Sequence, residues 1–232
     1  MRAGVIMDSE ETTNHRTRVA AMRREKTRAR LLESALLVFS RKGPHAVIED
    51  VIAQAGMARG SFYNYFRTNE ELLDAVAGEI NEELLRIIDP LVQRYADPAE
   101  RIACGARLVL HAVERFPLIG TFMARLPFLT ANGSLLSLGF VDRDVGLGIA
   151  AGRFRGITRR VAANVVLGVM LSAAYSTARE SMDSGYLDGS VRAILRALGV
   201  RENEAARLAA QPLPAFELPA SSLLRRTQMP QC

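Results

Sequence analysis

Residues 48 to 73, IEDVIAQAGMARGSFYNYFRTNEELL, leave this chain little freedom in what it can fold into. The stretch reads as a short helix over about Ile48 to Gln54, a tight turn at Ala55-Gly56-Met57, and a second short helix over about Ala58 to Tyr65. Gly56 supplies the positive φ that other residues resist. In the second helix Phe62 and Phe66 stand four apart, so both face one side and can enter a small core. Gly60 and Asn64 lie opposite, flanked by Ser61 and Tyr63, with Arg59 beside them. That outer face is small, polar and aromatic. It suits a polar, grooved partner such as the edges of DNA bases and their phosphates.

At these residues the stretch resembles the DNA-binding region of the TetR-type (tetracycline-repressor-like) transcription regulators. Their signature runs roughly D-[IV]-A-x-x-A-G-V-S-x-G-[ST]-[FL]-Y-x-[YH]-F-x-[SN]-K-E-x-L. It is met here by Asp50, Val51, Ala55, Gly56, Gly60, Ser61, Phe62, Tyr63, Tyr65, Phe66, Glu70 and Leu72. The likeness covers about residues 27–75. Three departures stand out. Ile52 occupies a position where the pattern has Ala. Ala58 replaces the common Ser and removes an N-cap hydroxyl. Asn69 replaces the usual Lys, which in the family meets a phosphate. The first helix of the pair points its N-terminus at a phosphate in the family. Here Ala46, Val47 and Ile48 occupy that place and offer only backbone N–H groups. The outward face and the resemblance together give Val47, Ile48, Ala58, Arg59, Gly60, Ser61, Tyr63, Asn64, Tyr65, Thr68 and Asn69 as the candidate DNA-contacting residues.

The charge is unevenly placed. Residues 1–67 hold 12 Lys/Arg and 7 Asp/Glu, whereas residues 68–232 hold 18 of each. The whole positive excess therefore accompanies the helix-turn-helix stretch, as a polyanion partner requires. From Arg16 to Arg30 there are seven Arg/Lys and one acid, Glu25. Such an arm can lie along DNA, releasing counterions from each neutralised phosphate, or can be a solvated tail. Residues 1–25 show no apolar periodicity and are expected to form a flexible basic arm.

Around the stretch the chain reads as helix after helix, with no strand pattern and no fixed repeat. One spans about Lys26 to Lys42, with Leu32, Ala35, Leu36 and Phe39 inward and Gly43-Pro44 as its stop. Thr68 caps another, with Glu71 completing a capping box. That helix repeats Leu73, Ile80, Leu84, Ile87 and Leu91 to about Tyr95, long enough to leave one domain and enter the next. Further helices are expected over about Pro98 to Arg115, Pro117 to Phe128, Ser134 to Gly152 after an Asn132-Gly133 turn, Ile157 to Ser184, Leu187 to Leu198, and Glu204 to Ala210. Pro212, Pro214, Pro219 and Pro230 make residues 211–232 an expected irregular tail. The fold class is all-α: a three-helix DNA-binding domain with a helix-turn-helix at 26–70 and a helical ligand-binding and dimerisation domain at 71–210.

Two parts of the second domain invite a functional reading. Residues 104–180 scatter aromatics and methionines among polar groups: Arg107, His111, Phe116, Phe122, Met123, Phe128, Phe140, Met170 and Tyr175. In the family this region encloses an inducer pocket, and an apolar cavity with a few polar groups suits a small, mostly hydrophobic effector. For each residue taken singly, core packing explains it as well. The segment 157–198 resembles the helix pair that forms the family's four-helix dimer interface. A reading helix of about two turns covers few base pairs, so a twofold dimer is the physical route to a longer site. The alternative is that these helices are the core of one monomer. Val161 to Ala178 carries no charge over 18 residues. Its small, partly polar stripe of Asn164, Gly168, Ser172 and Ser176 fits helix–helix packing better than lipid, so no membrane partner is expected.

Other chemistry finds no support. Gly146 to Ala151 spells G-x-G-x-x-A, but no strand precedes it and no βαβ unit surrounds it, so a dinucleotide cofactor is not expected. His15, His45 and His111 are isolated, and Cys104 and Cys232 make neither a metal cluster nor a disulfide framework. No catalytic residues, metal or cofactor are expected, and the cysteine usage fits a reducing cytoplasm. The reading is a dimeric, ligand-responsive regulator of transcription, a repressor on a palindromic double-stranded DNA operator. The rival is a helical ligand-binding or scaffolding protein whose basic N-terminus meets another polyanion.

Overall fold

The computed structural model describes residues 7–125 and 139–227. Every regular element among them is helical, in the order α1 (Met7–Lys42), α2 (Ile48–Ala55), α3 (Arg59–Tyr63), α4 (Asn69–Val92), α5 (Pro98–Arg115), α6 (Pro117–Arg125), α7 (Gly139–Ala150), α8 (Arg159–Arg179), α9 (Tyr186–Ala197), α10 (Glu202–Ala209) and α11 (Leu223–Arg226). The all-α fold class is thus observed. The expected Asn132-Gly133 turn, the start at Ser134 and the end at Phe128 lie outside the described residues.

The first correction is α1. It begins at Met7, not near Lys26, so residues 7–25 of the expected flexible basic arm are helical. Among its described side chains the buried face lies in the C-terminal half, made by Leu31, Leu32, Ala35, Leu36 and Phe39. Upstream, good helix formers such as Ala20, Ala21, Met22, Arg23, Arg24 and Glu25 extend a ladder already started by the packed half. Extension adds hydrogen bonds without a fresh nucleation cost. Such a solvated helix has no apolar period for a sequence reading to find.

α2, α3 and the start of α4 close on that packed half. Val51, Ala55, Phe62, Phe66 and Leu72 join α1 in one core. Gly56 takes φ 59° and ψ 43°, and its N–H and that of Met57 bond back to Ala53 O and Ile52 O at 3.2 Å each. These bonds satisfy carbonyls that the end of α2 would otherwise leave open. α4 starts at the expected Thr68 cap, whose Oγ1 accepts the Glu71 N–H at 3.1 Å, but the capping box is not completed: the Glu71 carboxylate accepts the Arg67 N–H at 2.7 Å instead of that of Thr68. Its 24 residues end at Val92, short of the expected Tyr95. At about 1.5 Å per residue it spans roughly 36 Å, enough to carry it from the first three helices to α5.

α5 is the axis of the C-terminal helices. From Ala99 to Val113 only Glu100, Arg101 and His111 escape full burial. α4, α7, α8, α9 and α10 all pack on it. Two glycines permit the close approach. A Cβ on Gly105 would stand 2.9 Å from the Phe140 ring, and one on Gly120 would stand 2.8 Å from both Val113 and Ala178. Gly148, from the G-x-G-x-x-A hexapeptide, is likewise a packing residue, since its Cβ would fall 2.2 Å from the Phe154 ring. The expected helix over Ile157–Ser184 is shorter, Arg159–Arg179, and Gly185 begins α9 instead of ending α8.

Buried charge ties α4 to the C-terminal helices. Asp144 is fully buried and accepts from Arg143 Nε at 2.9 Å and Arg101 Nη1 at 3.3 Å. Arg143 also pairs with Asp89, near the end of α4, at 2.8 Å. The Arg143 hydrogen bond holds Asp89 below its ordinary carboxylate range, against the opposing effect of burial.

The expected irregular tail has no regular structure from Gln211 to Ser222, but it ends in the short α11 and is docked as a strap. Arg107 Nη1 donates to Gln211 O where the chain leaves α10. The segment then runs without regular structure to Ser222 and buries Leu218, Leu223 and Leu224. Ser222 Oγ donates to Glu83 Oε2 at 2.7 Å and the Leu223 N–H donates to Glu83 Oε1 at 2.5 Å. Arg226 pairs with Glu33 of α1 at 2.5 Å. α11 is thereby fixed against α1 and α4, and the strap adds a second, non-covalent tie between the C-terminal helices and the N-terminal ones.

Candidate nucleic-acid interface

The reading face is built by division of labour within α3. Phe62 and Phe66 are 0% and 4% exposed and anchor the helix in the core. Their rings lie 6.1 Å apart. Because a helix turns about 100° per residue, anchoring them drives Arg59, Gly60, Tyr63 and Asn64 outward, and all four are exposed. Tyr63 is 44% exposed, a large surface for an aromatic ring, and its ring packs edge-on against Phe62 at 5.4 Å. A Cβ on Gly60 would meet nothing within 4 Å, so the surface there is open to a partner. The helix is shorter than the sequence predicts and ends at Tyr63. Two bonds back to the Phe62 carbonyl, from Tyr65 at 2.9 Å and Phe66 at 3.2 Å, continue it as a turn.

The flanking residues divide in two. Val47, 50% exposed, leads into α2 with no side-chain cap. In its place Asp50 accepts the Val47 N–H at 3.2 Å and pairs with Lys42 at 2.6 Å, and these bonds, the Lys42 one first, lower its pKa. A negative charge near the α2 N-terminus therefore competes with any phosphate there. Ile48 is half-buried, Ala58 and Thr68 are exposed, and Ser61 and Tyr65 are half-buried. Asn69 is half-buried and tied to the backbone. Its Nδ2 donates to Ala46 O at 2.7 Å, which pins the start of α4 to the turn before α2. Arg59 pairs with Glu49 at 3.2 Å and lies over the Tyr63 ring at 5.8 Å from its centroid.

Residues of the Arg16–Arg30 run also border this face. Arg24 lies over the Tyr65 ring at 5.9 Å, and Arg23 and Thr27 line the same open recess. Arg30 reaches over the α2–α3 turn, with Nη2 3.3 Å from where a Gly56 Cβ would be. The Arg-rich run was visible in the sequence, but Arg23 and Arg24 face the reading head only because α1 is helical.

The candidate effector residues scatter more widely. Phe116, Phe122, Met123, Phe140 and Met170 are all buried. Phe122 packs edge-on against Phe39 of α1 at 6.5 Å, so it bridges the C-terminal and N-terminal helices. Arg107 is spent on structure, holding Asp188 at 3.0 Å as well as Gln211. His111 is half-exposed beside Glu114, at 3.2 Å, and Tyr175 is 41% exposed on the outer side of α8 with Arg179 over its ring. Neither joins the buried group. Phe128 lies outside the described residues. Cys104 is buried, and burial raises its thiol pKa. Among the described residues no group of three or more His, Cys, Asp or Glu is arranged to hold a metal ion.

Comparisons with known proteins agree on one family. Residues 31–76 match the family model for bacterial regulatory proteins of the tetR family, and residues 97–211 match the tetracyclin repressor-like C-terminal domain. An uncharacterised HTH-type transcriptional regulator of Bacillus subtilis, YfiR, is 34% identical over 73 residues, which span 31% of this chain and 36% of that protein. Among solved structures, RolR in complex with resorcinol is 29% identical, with a TM-score of 0.67, and the match covers 84% of this chain and 98% of RolR. The regulator FadR from Bacillus subtilis, in complex with stearoyl-CoA, shares the fold at 17% identity and a TM-score of 0.61, covering 74% of this chain and 98% of FadR. With its reading helix inside the first match and α5 to α10 inside the second, the chain belongs to the TetR family of bacterial transcriptional regulators.

Proposed function

We propose that this regulator represses transcription as a homodimer on a palindromic operator and is released by a small, mostly hydrophobic effector. The exposed face of α3 carries the reading. Gly60, Ser61, Tyr63 and Asn64 enter the major groove, where Asn64 can pair with an adenine edge and Gly60 lets the backbone come close. Arg59, Tyr65 and Thr68 hold phosphates, and the N-terminus of α2 at Val47 and Ile48 approaches another. Asn69 acts indirectly, by holding α4 against the turn that carries Val47.

α8 supports the dimer. Its 18-residue apolar window has a mean hydropathy of 1.5, yet only 28% of it is buried within the chain. Ala162, Val166, Met170, Ala173 and Ala174 face inward. Val161, Asn164, Ser172 and Tyr175 are exposed at helical spacing with half-buried Gly168 between them, so the small-residue stripe faces outward. A second copy of α8 and α9 covers that stripe and sets the distance between the two reading helices. The effector lies among the buried side chains of α5 to α8. The RolR–resorcinol complex favours an aromatic ligand of modest size. Emptying a mostly occupied operator requires a difference in effector affinity between the two states of roughly 5 kcal/mol.

The test is selection from a random duplex library. Enrichment of a palindrome with half-sites centred about 10 base pairs or a multiple apart is expected. The Tyr63→Ala variant should keep its helix content and dimer mass and lose that binding. Wild-type binding that is salt-sensitive but enriches no sequence would leave a generic polyanion contact and sink the repressor reading. The recovered operator then serves to screen small phenols, resorcinol among them, for release.

A further inference from the structure

We propose that the N-terminal part of α1 is a second DNA-contacting element. Its Arg23, Arg24 and Thr27 form one wall of a groove that takes the sugar–phosphate backbone beside the reading helix. The inference rests on the DNA-binding reading of α3 and adds a surface that reading does not contain. These residues precede position 31, where the match to the family model begins.

The groove is an open recess of about 780 Å³ between Ala20, Arg23, Arg24 and Thr27 on α1 and Asn64 and Tyr65 at the end of the reading head. Three observations point to a phosphate strand as its occupant. First, its lining holds two guanidinium groups and no carboxylate. Second, Glu25, the one acid from Arg16 to Arg30, is turned away. Glu25 and Arg28 border a separate recess facing α4, where Arg28 pairs with Glu79 at 3.2 Å. Among the described side chains, α1 thus turns mixed charge toward α4 at Glu25 and Arg28 and basic charge toward the reading head at Arg23 and Arg24. Third, Arg24 is placed in advance, its guanidinium over the Tyr65 ring at 5.9 Å. An arginine held on an aromatic face loses less freedom when it binds, and its planar fork matches a phosphate in two hydrogen bonds.

Position completes the argument. Asn64 and Tyr65 belong to both surfaces. A duplex seated on α3 therefore runs its flanking backbone past this recess. Arg23 and Arg24 add electrostatic affinity and fix the reading head on the duplex, while base choice stays with α3.

The test is the double variant Arg23→Ala/Arg24→Ala, measured on the operator selected by the wild type across a salt series. Both side chains are exposed, so folding is not at stake, and circular dichroism checks this. Loss of two phosphate contacts should lower the slope of log affinity against log salt by about 1.8. A fourfold rise in salt should then cost the variant about 12-fold less affinity than it costs the wild type. The selected sequence should not change, and Arg23→Lys/Arg24→Lys should restore most of the slope. An unchanged slope and affinity would overturn the proposal. So would an altered consensus at unchanged slope, because these side chains would then be reading bases. A wild type that selects no duplex would fail differently, since it would remove the DNA-binding reading itself.

Discussion

Gly56 and Gly60 stand four residues apart and serve opposite ends. Gly56 holds a left-handed conformation, φ 59°, that a side chain resists, and its surroundings leave only the flexible tip of Arg30 in the way. Gly60 is in an ordinary helical conformation, and a methyl there would meet nothing within 4 Å. Gly56→Ala should therefore lower stability by about 1–2 kcal/mol through backbone strain, seen as a lower urea midpoint at unchanged slope. Gly60→Ala should leave stability equal or slightly higher, because alanine is the better helix former. It should still weaken operator binding, because the methyl stands where the duplex must approach. Equal stability loss in both variants would show that Gly60 is structural too. Both glycines were legible in the sequence as part of a turn and a face. Asn69 was not: its amide serves Ala46, 23 residues earlier, a partner only the folded chain brings near.

At the scale of elements, the largest departures from the sequence reading lie toward the two ends of the chain, and the C-terminal one bears on α4. α1 extends well beyond its packed half, and the strap returns to fasten α11 onto Glu83. Glu83 is 4% exposed, and one acid among several in an amphipathic helix reads as solvated until its partners arrive from 139 residues away. Glu83→Ala leaves the Ser222 hydroxyl and the Leu223 N–H without an acceptor and should cost roughly 3 kcal/mol. A chain ending at Gln211 loses the burial of Leu218, Leu223 and Leu224 and should also melt lower. In that shortened chain Glu83→Ala should be almost silent, since its partners are already gone. Thermal unfolding of the four proteins measures the coupling, and additive losses would refute it. The prolines of residues 211–232 correctly excluded a long helix. They said nothing of docking, which needs only three buried leucines and one carboxylate.

For the whole molecule the open question is what covers α8. Its outward stripe is small and weakly polar, a surface that allows two helices to approach closely. Val161, 50% exposed on that stripe, is the place to test it. Val161→Arg should leave helix content intact, since the side chain packs on little within one chain. Light scattering should report a monomer, and binding to a palindromic operator should collapse while contact with a single half-site survives weakly. A variant that stays dimeric would move the interface away from α8. The same scale shows how a signal could travel. α4 is fastened at one end through Asn69, at its middle through Glu83 and at the other end through the Asp89–Arg143 pair. Phe122 against Phe39 adds a direct contact between α6 and α1. Movement of α6 or α7 therefore meets the N-terminal helices through several rigid contacts.

The sequence by itself determined the helix-turn-helix, the cap of α4 and the apolar character of α8. Each depends on residues a few positions apart: a glycine that alone accepts its φ, two phenylalanines one turn apart, a threonine three before a glutamate, a run without charge. Local sterics and periodicity decide such features before any tertiary contact forms. The tertiary structure alone decided the rest. It made residues 7–25 helical by extending a packed helix and turned Arg23 and Arg24 toward the reading head. It spent Arg107 on Asp188 and Gln211, left Tyr175 outside, and buried Glu83 under a returning chain. Burial and partnership depend on what a side chain meets across the fold, and that meeting is set by packing, not by neighbours in the chain.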